Sequence, residues 1–399
     1  MSNLLNGIRI VDLTRGVAGP TATMILGDLG AEVIQIEPPG GTTLRQAYGP
    51  RHRGESFEYL TLNRNKKSVV LNLTTTEGKR AIYDLVRISD VFIANFRAGV
   101  LERLSLGYET LAKLNPALIY CSMTGFGSSG PYSQRKGIDA NISAMTGLMS
   151  LMAEPGRMPP KAQPALIDSA TGLYATIAIL AALFKRKETS QGQKLEVSLL
   201  DSAVSLASLA IQYYLMGGGV LQNLGSRHVN IAPMGCFHTK DGFIVLGSCW
   251  PRIAHVLGAD WLMEDDRFTT RQGRVEHREE LDEILNSLLR KENTEDWLAL
   301  FDVEDITAAP INTIDKVVAD PQVNHNKMII TIAHALGGEF QTVRNPLNFS
   351  ANTLNYNSPS TLGQYTANVL QDILGYDEEL TQTIIRQGGK QTGEGEPLL

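Results

Sequence analysis

One acid in this chain stands where a nucleophile would be useful. Asp168 follows the apolar run Pro164-Ala165-Leu166-Ile167 and directly precedes Ser169-Ala170-Thr171-Gly172, at the start of a helical segment. A carboxylate in that place either accepts free backbone N–H groups as a helix N-cap or acts on a substrate, and the spacing alone decides neither. A second candidate is Gly125-Phe126-Gly127-Ser128-Ser129-Gly130, which spells G-x-G-x-x-G after a strand-like run. In a dinucleotide fold those glycines open a helix whose N-terminus meets a pyrophosphate. Here Pro131 and polar residues follow as far as Gly137, and the first strand carries LTRGVAGP in place of the fingerprint. The motif therefore reads as a mobile glycine-rich loop over an active site.

Other reaction classes fail on absence. The sequence has no G-x-S-x-G elbow, no H-E-x-x-H and no phosphate loop ending in Gly-Lys-Ser/Thr. The histidines (His52, His228, His238, His255, His277, His325, His334) show no ligand-like pairing, so no metal site is expected. A net charge of -6 argues against a general nucleic-acid binder. Cys121, Cys236 and Cys249 form no C-x-x-C pair and read as small thiols of a reducing compartment. The start MSNLLNGIRIVDLT has neither the basic residues nor the apolar stretch of a signal peptide. Apolar runs such as LYATIAILAALF fall short of the roughly 20 residues that span a bilayer. The expectation is a cytoplasmic protein that does not enter a membrane.

The elements that must position these residues alternate. Strand-like IRIVDL (8–13), EVIQIE (32–37), VFIANF (91–96) and LIYCSMT (118–124) are separated by helical stretches at 21–30, 77–88 and about 108–114. Such alternation predicts parallel pairing, hence an α/β fold with a doubly wound sheet. Beyond 138 the pattern turns helical: 168–186 starts with Asp168 and ends on Lys185 and Arg186, a polarity that suits the helix dipole. KLEVSLL (194–200) reads as a strand feeding the helix AVSLASLAIQYYLM. Residues 225–330 read as a smaller domain, with a hairpin around Asp241-Gly242 and a charged helix over 275–292. The tail 363–387 reads as two short helices around Gly375. At 399 residues, two or three domains are expected.

The segments LTRGVAGPTATMILGDLGAEVIQIEPPG, LNRNKKSVVLNL, NFRAGVLERLSLGYETL, LIYCSMTGFGSSGP and PALIDSATGLYATIAILAALFKR with GQKLEVSLLDS resemble, in order, the class III coenzyme A transferases. That is the formyl-CoA transferase and carnitine CoA-transferase family. LTRGVAGP, LNRNKKS and ADPQVNHN are most similar to its succinyl-CoA:glutarate branch. The resemblance implies a CoA-transferase moving coenzyme A from succinyl-CoA to a dicarboxylate, with no cofactor beyond the CoA thioesters themselves. It puts Asp168 at the catalytic aspartate, which forms a mixed anhydride and then an aspartyl-CoA thioester. A carboxylate titrating near ~3.9 is ionised at neutral pH without an activating base.

Residue by residue, the family's CoA-binding positions fall on Val17 and Ala18, on Leu71, Asn72, Leu73 and Thr74, on Asn95, Phe96 and Arg97, and on Arg103 and Lys136. Formyl-CoA transferase-like members carry Gln at Val17, Arg at Pro38 and Lys at Thr74, so formate is not the expected acid. For the reacting groups the expectations are Gly125 and Gly127 as backbone oxyanion donors and Arg15 as partner of a distal carboxylate. Ile138 and Asp139 mark the acid-binding wall. Racemases of the same fold carry a histidine where this chain has Ile138. Since isoleucine carries no proton, the racemase or epimerase is the runner-up. The resemblance further implies a Rossmann-like large domain from 1–199 plus 331–399 and a smaller α+β domain from 225–330. A linker at 200–224 and a helical crossing around 325–335 would join them, within an interlocked homodimer.

Overall fold

Six short strands form one parallel sheet. A computed structural model describes residues 4–389. The strands are β1 (Arg9–Asp12), β2 (Glu32–Glu37), β3 (Lys66–Val70), β4 (Val91–Ala94), β5 (Ile119–Thr124) and β6 (Gln193–Ser198). They lie in the order β3-β2-β1-β4-β5-β6, every neighbouring pair parallel. Side chains alternate across the sheet. Ile10, Val33, Ile93 and Cys121 face one buried layer, while Val11, Ile34, Phe92 and Tyr120 face the other. In these strands both layers are buried, which is what a sheet covered on both sides requires, while the edge strand β6 keeps Lys194 and Glu196 exposed.

The first layer is closed by helices α1 (Ala18–Asp28) and α5 (Leu166–Thr189), through Ala22, Leu26, Ala175 and Ile179. The second is closed by α2 (Thr76–Arg87) and α3 (Tyr108–Leu114), and by the tail through Leu370 and Ile384. The apolar helix expected over 168–186 runs to 24 residues, long and apolar enough to cross a membrane by those criteria alone. Nearly half of its apolar window is buried inside the fold.

Some elements differ from the sequence reading. β3 is hidden by its lysines: Lys66 is buried with Nζ 3.4 Å from Asp12 Oδ2, and Lys67 pairs with Glu32 at 2.6 Å. The strand expected to reach Leu200 stops at Ser198, whose hydroxyl caps the next helix α6 (Leu199–Leu206) by accepting from Asp201 N at 3.0 Å. The helix expected over 203–216 is broken at Ala207, and the following turns run from Ser208–Leu215. The segment 325–335, expected to be helical, holds Ile329–Ala333 as a β-branched strand paired antiparallel with Glu339–Val343.

By chain proximity the described residues fall into two units. One draws on residues 4–146, 161–208 and 325–389, the other on Gly147–Pro160 and Leu209–Asn324. The second unit has its own core of Phe237, Ile244, Phe268, Leu281, Leu285 and Phe301. Its strands Gly235–His238 and Phe243–Leu246 form the expected hairpin around Asp241-Gly242. Residues 147–160 group with this unit because Asn223 N, Leu224 N and Gly225 N bond to the carbonyls of Ser150, Leu151 and Ala153.

What matters for the site is how the first loop is fixed. Asp12, at the end of β1, accepts from Thr14 N at 2.8 Å and Thr14 Oγ1 at 2.6 Å, and its other oxygen accepts from Thr23 Oγ1 at 2.6 Å. The turn is so close to α1 that a Cβ on Gly19 would sit 2.2 Å from Thr14 Cβ. Gly19→Ala is therefore expected to destabilise the protein by about 1–3 kcal/mol, read as a lowered midpoint in urea unfolding.

Candidate active site

In open α/β sheets the crevice outside the C-terminal strand ends, where the strand order reverses, is where ligands bind. Here the reversal lies between β1 and β4, and a cavity of about 210 Å³ opens there. It is lined by Arg15, Val17 and Ala18 after β1, Asn95, Phe96 and Arg97 after β4, Thr124 and Gly125 at the end of β5, and by Ser133, Arg135, Ile138 and Asp168. Asp168 is the one carboxylate among the lining residues.

The N-cap reading of Asp168 does not hold. α5 begins at Leu166 after Ala165, whose φ of 30° lies in the left-handed region, so Asp168 is already the third residue of the helix. Its carboxylate is free for other work. The cap comes instead from Asp139, at the start of α4 (Asp139–Met145). Asp139 Oδ2 accepts from Ile167 N at 2.8 Å and from Asp168 N at 3.2 Å. This satisfies two of the first-turn donors that a helix leaves unpaired.

The Asp168 carboxyl is pushed up to about 6, by burial first and then by the neighbouring Asp139, with Lys161 pulling the other way. The ordinary carboxylate value expected from the sequence is thus replaced by a higher one, because the cavity withdraws the group from water. Near pH 7 it is still mostly ionised.

Arg15 is fastened by its backbone: its N–H donates to Asn95 Oδ1 at 2.8 Å and its carbonyl accepts from Asn95 Nδ2 at 2.6 Å. The guanidinium lies 4.8 Å from the centre of the Phe96 ring and is held down at about 10 by burial. A desolvated cation facing a cavity is a ready partner for an anion. Arg97 and Arg135 add positive charge to the same wall, Arg135 lying 4.0 Å above the Tyr132 ring.

The structure brings together Arg15, Val17, Ala18, Asn95, Phe96, Arg97, Gly125, Ile138 and Asp168. Outside the lining lie Leu71 to Thr74, Arg103, Lys136, Gly127 and Asp139. Leu71 and Leu73 are buried in the core, and Asn72 Oδ1 accepts from Thr74 N and Oγ1 in a tight turn. Arg103 and Lys136 are exposed. The N–H of Gly127 is already taken by Thr124 Oγ1 at 2.8 Å, so it is no free oxyanion donor in this state. Gly125 is pressed against the far end of its own loop, where a Cβ would lie 2.7 Å from Gly137 Cα.

Sequence reasoning missed Arg135 and Lys161. Each sits in an irregular loop without periodicity; the signals available were the closeness of Lys161 to Asp168, seven residues on, and of Arg135 to the glycine-rich loop ending at Gly130.

The chain matches the model of CoA-transferase family III over residues 5–366. It is 38% identical over 396 residues to the human succinyl-CoA:glutarate CoA-transferase, covering 97% of this chain and 90% of that protein. It is 37% identical over 381 residues to the succinate–glutarate CoA-transferase of Agrobacterium fabrum, covering 92% and 95%. Among solved structures, a CAIB/BAIF family protein from Brucella suis superposes with a TM-score of 0.84 at 35% identity, over 94% of this chain and 100% of that one. Matches of this length, on a fold that puts a lone carboxylate at the sheet's switch point, make this chain an enzyme of CoA-transferase family III.

Proposed function

We propose that the enzyme moves CoA from succinyl-CoA to a dicarboxylic acid through the carboxylate of Asp168. The observation that carries this reading is the placement of Asp168 as the one acid lining a cavity whose cations are Arg15, Arg97 and Arg135. Such a wall suits anionic acids and the phosphates of CoA.

The steps balance without proton transfer. A carboxylate oxygen of Asp168 attacks the thioester carbonyl; the C–S bond breaks and CoA leaves as thiolate. The thiolate attacks the aspartyl carbonyl of the mixed anhydride, releasing succinate and leaving an aspartyl-CoA thioester. The acceptor carboxylate attacks that thioester, expelling thiolate again. The thiolate then attacks the acceptor's acyl carbon, forming the new acyl-CoA and regenerating the Asp168 carboxylate. Each covalent step divides a difficult exchange into easier ones.

About 210 Å³ holds the reacting acids and not a whole CoA. In this reading the CoA arm therefore lies across the surface, along Asn95 to Arg97, Arg103 and Lys136, and meets the segment Leu71 to Thr74 at its turn, where Thr74 is exposed while Leu71 and Leu73 stay buried. Metal and prosthetic groups have no part in it. The enzyme works as a cytoplasmic interlocked homodimer, a state favoured by the exposed apolar side chains Leu173, Ile177 and Phe184 on α5 and Val204 on α6. A monomer by light scattering would remove the dimer without touching the chemistry.

The racemase alternative needs two proton carriers, and Ile138 supplies none. A panel of carboxylic acids incubated with succinyl-CoA, read by mass spectrometry, tests the proposal. A new dicarboxylyl-CoA supports it. Deuterium entering a 2-methylacyl-CoA from solvent, with no transfer, would replace it by the isomerase.

A further inference from the structure

Lys161 precedes Asp168 by seven residues in the stretch Pro159-Pro160-Lys161-Ala162-Gln163-Pro164. Its Nζ lies 3.3 Å from Asp139 Oδ1. The other oxygen of that carboxylate holds the N–H groups of Ile167 and Asp168. One acid thus ties a lysine on one side to the first turn of α5 on the other. The pair is withdrawn from water, with side-chain exposures of 8% for Asp139 and 29% for Lys161.

An acid used as a cap brings a difficulty here. It adds a negative charge beside a group that must itself be negative to react, and two carboxylates in one site suppress each other's ionisation. The other charges around Asp168 do not touch Asp139 directly. Arg15, Arg97 and Arg135 come from three loops of the cavity wall. On α6, Asp201 accepts the Ser198 hydroxyl at 2.7 Å. Lys161 is the cation in salt-bridge contact with the capping acid.

We propose that Lys161 is a positioning residue for the transfer. It neutralises Asp139, so that this carboxylate can hold the start of α5 without leaving an unbalanced second negative charge beside the nucleophile. The inference rests on the reading of Asp168 as that nucleophile.

The test is kcat/KM against pH for the wild type, Lys161→Met and Lys161→Arg. In the wild type the rate is expected to fall below about pH 6, where the Asp168 carboxyl takes up its proton. In Lys161→Met the acid limb is expected to move up by about one pH unit, making the variant roughly fivefold slower at pH 6 and equal to the wild type by about pH 9. Lys161→Arg keeps the charge and is expected to retain the wild-type limb. A residue that merely supported the loop would lower the plateau and leave the limb in place, and that result would overturn the proposal. Should Lys161→Met not fold, Lys161→Gln keeps a hydrogen bond to Asp139 without the charge and carries the same comparison. Asp168→Ala, measured alongside, separates the two ideas. If it still transfers CoA, the nucleophile reading fails; if it is inactive while the limb stays put, Lys161 alone is dismissed.

Discussion

Asp168→Ala is expected to lower kcat for CoA transfer by on the order of 10⁴-fold or more, since no other carboxylate lines the cavity to form the anhydride and the thioester. CoA binding should persist, because none of the expected CoA contacts involves this side chain. The wild-type profile should be flat above pH 7 and fall tenfold per unit well below about 6, the acidity of the buried carboxyl.

The same shift has a cost in stability. The folded carboxyl titrates near 6 and an unfolded aspartate near ~3.9. Between those values the folded protein holds the proton more tightly, so stability is lost as pH rises from about 4 to 6. By pH 7 the loss is on the order of 3 kcal/mol. Asp168→Asn, which keeps the shape without the charge, is therefore expected to be more stable by about 1–3 kcal/mol at pH 7, with the gain vanishing toward pH 4. Denaturant melts at the two pH values check this. A variant less stable than the wild type at pH 7 would mean that the charge is better compensated than burial and Asp139 allow.

Arg15→Met is expected to raise the KM for a dicarboxylate acceptor by about 10–100-fold, the worth of a charge-assisted hydrogen bond to a buried carboxylate. The kcat with a monocarboxylate acceptor should change little. Because burial already holds the guanidinium down at about 10, its removal should leave the free protein at least as stable. That outcome distinguishes a binding residue from a structural one. Equal losses with every acceptor would assign Arg15 to the CoA arm or to the loop fastened by Asn95.

Much of the fold is legible in the sequence because it is written in near neighbours. The runs IRIVDL, EVIQIE, VFIANF and LIYCSMT become β1, β2, β4 and β5 within two residues of their expected bounds at either end. Their residues are apolar on both faces, which only a covered parallel sheet accommodates. β3 is the exception. Its two lysines look like solvent-facing charges until Asp12 and Glu32, each more than thirty residues earlier in the chain, are brought beside them.

By itself the sequence determined the α/β architecture, the family, and Asp168 as the acid to watch, since periodicity and motif order survive without coordinates. Only the tertiary structure decided what kind of acid Asp168 is. A carboxylate before a helical run has the same local signature whether it caps the helix or leaves the cap to another residue. The choice fell to Asp139, 29 residues away, and with it came the pairing with Lys161. The desolvation of Arg15 and the raised pKa of Asp168 likewise depend on which groups are excluded from water. Desolvation belongs to the surroundings that folding assembles, and no stretch of chain carries it alone.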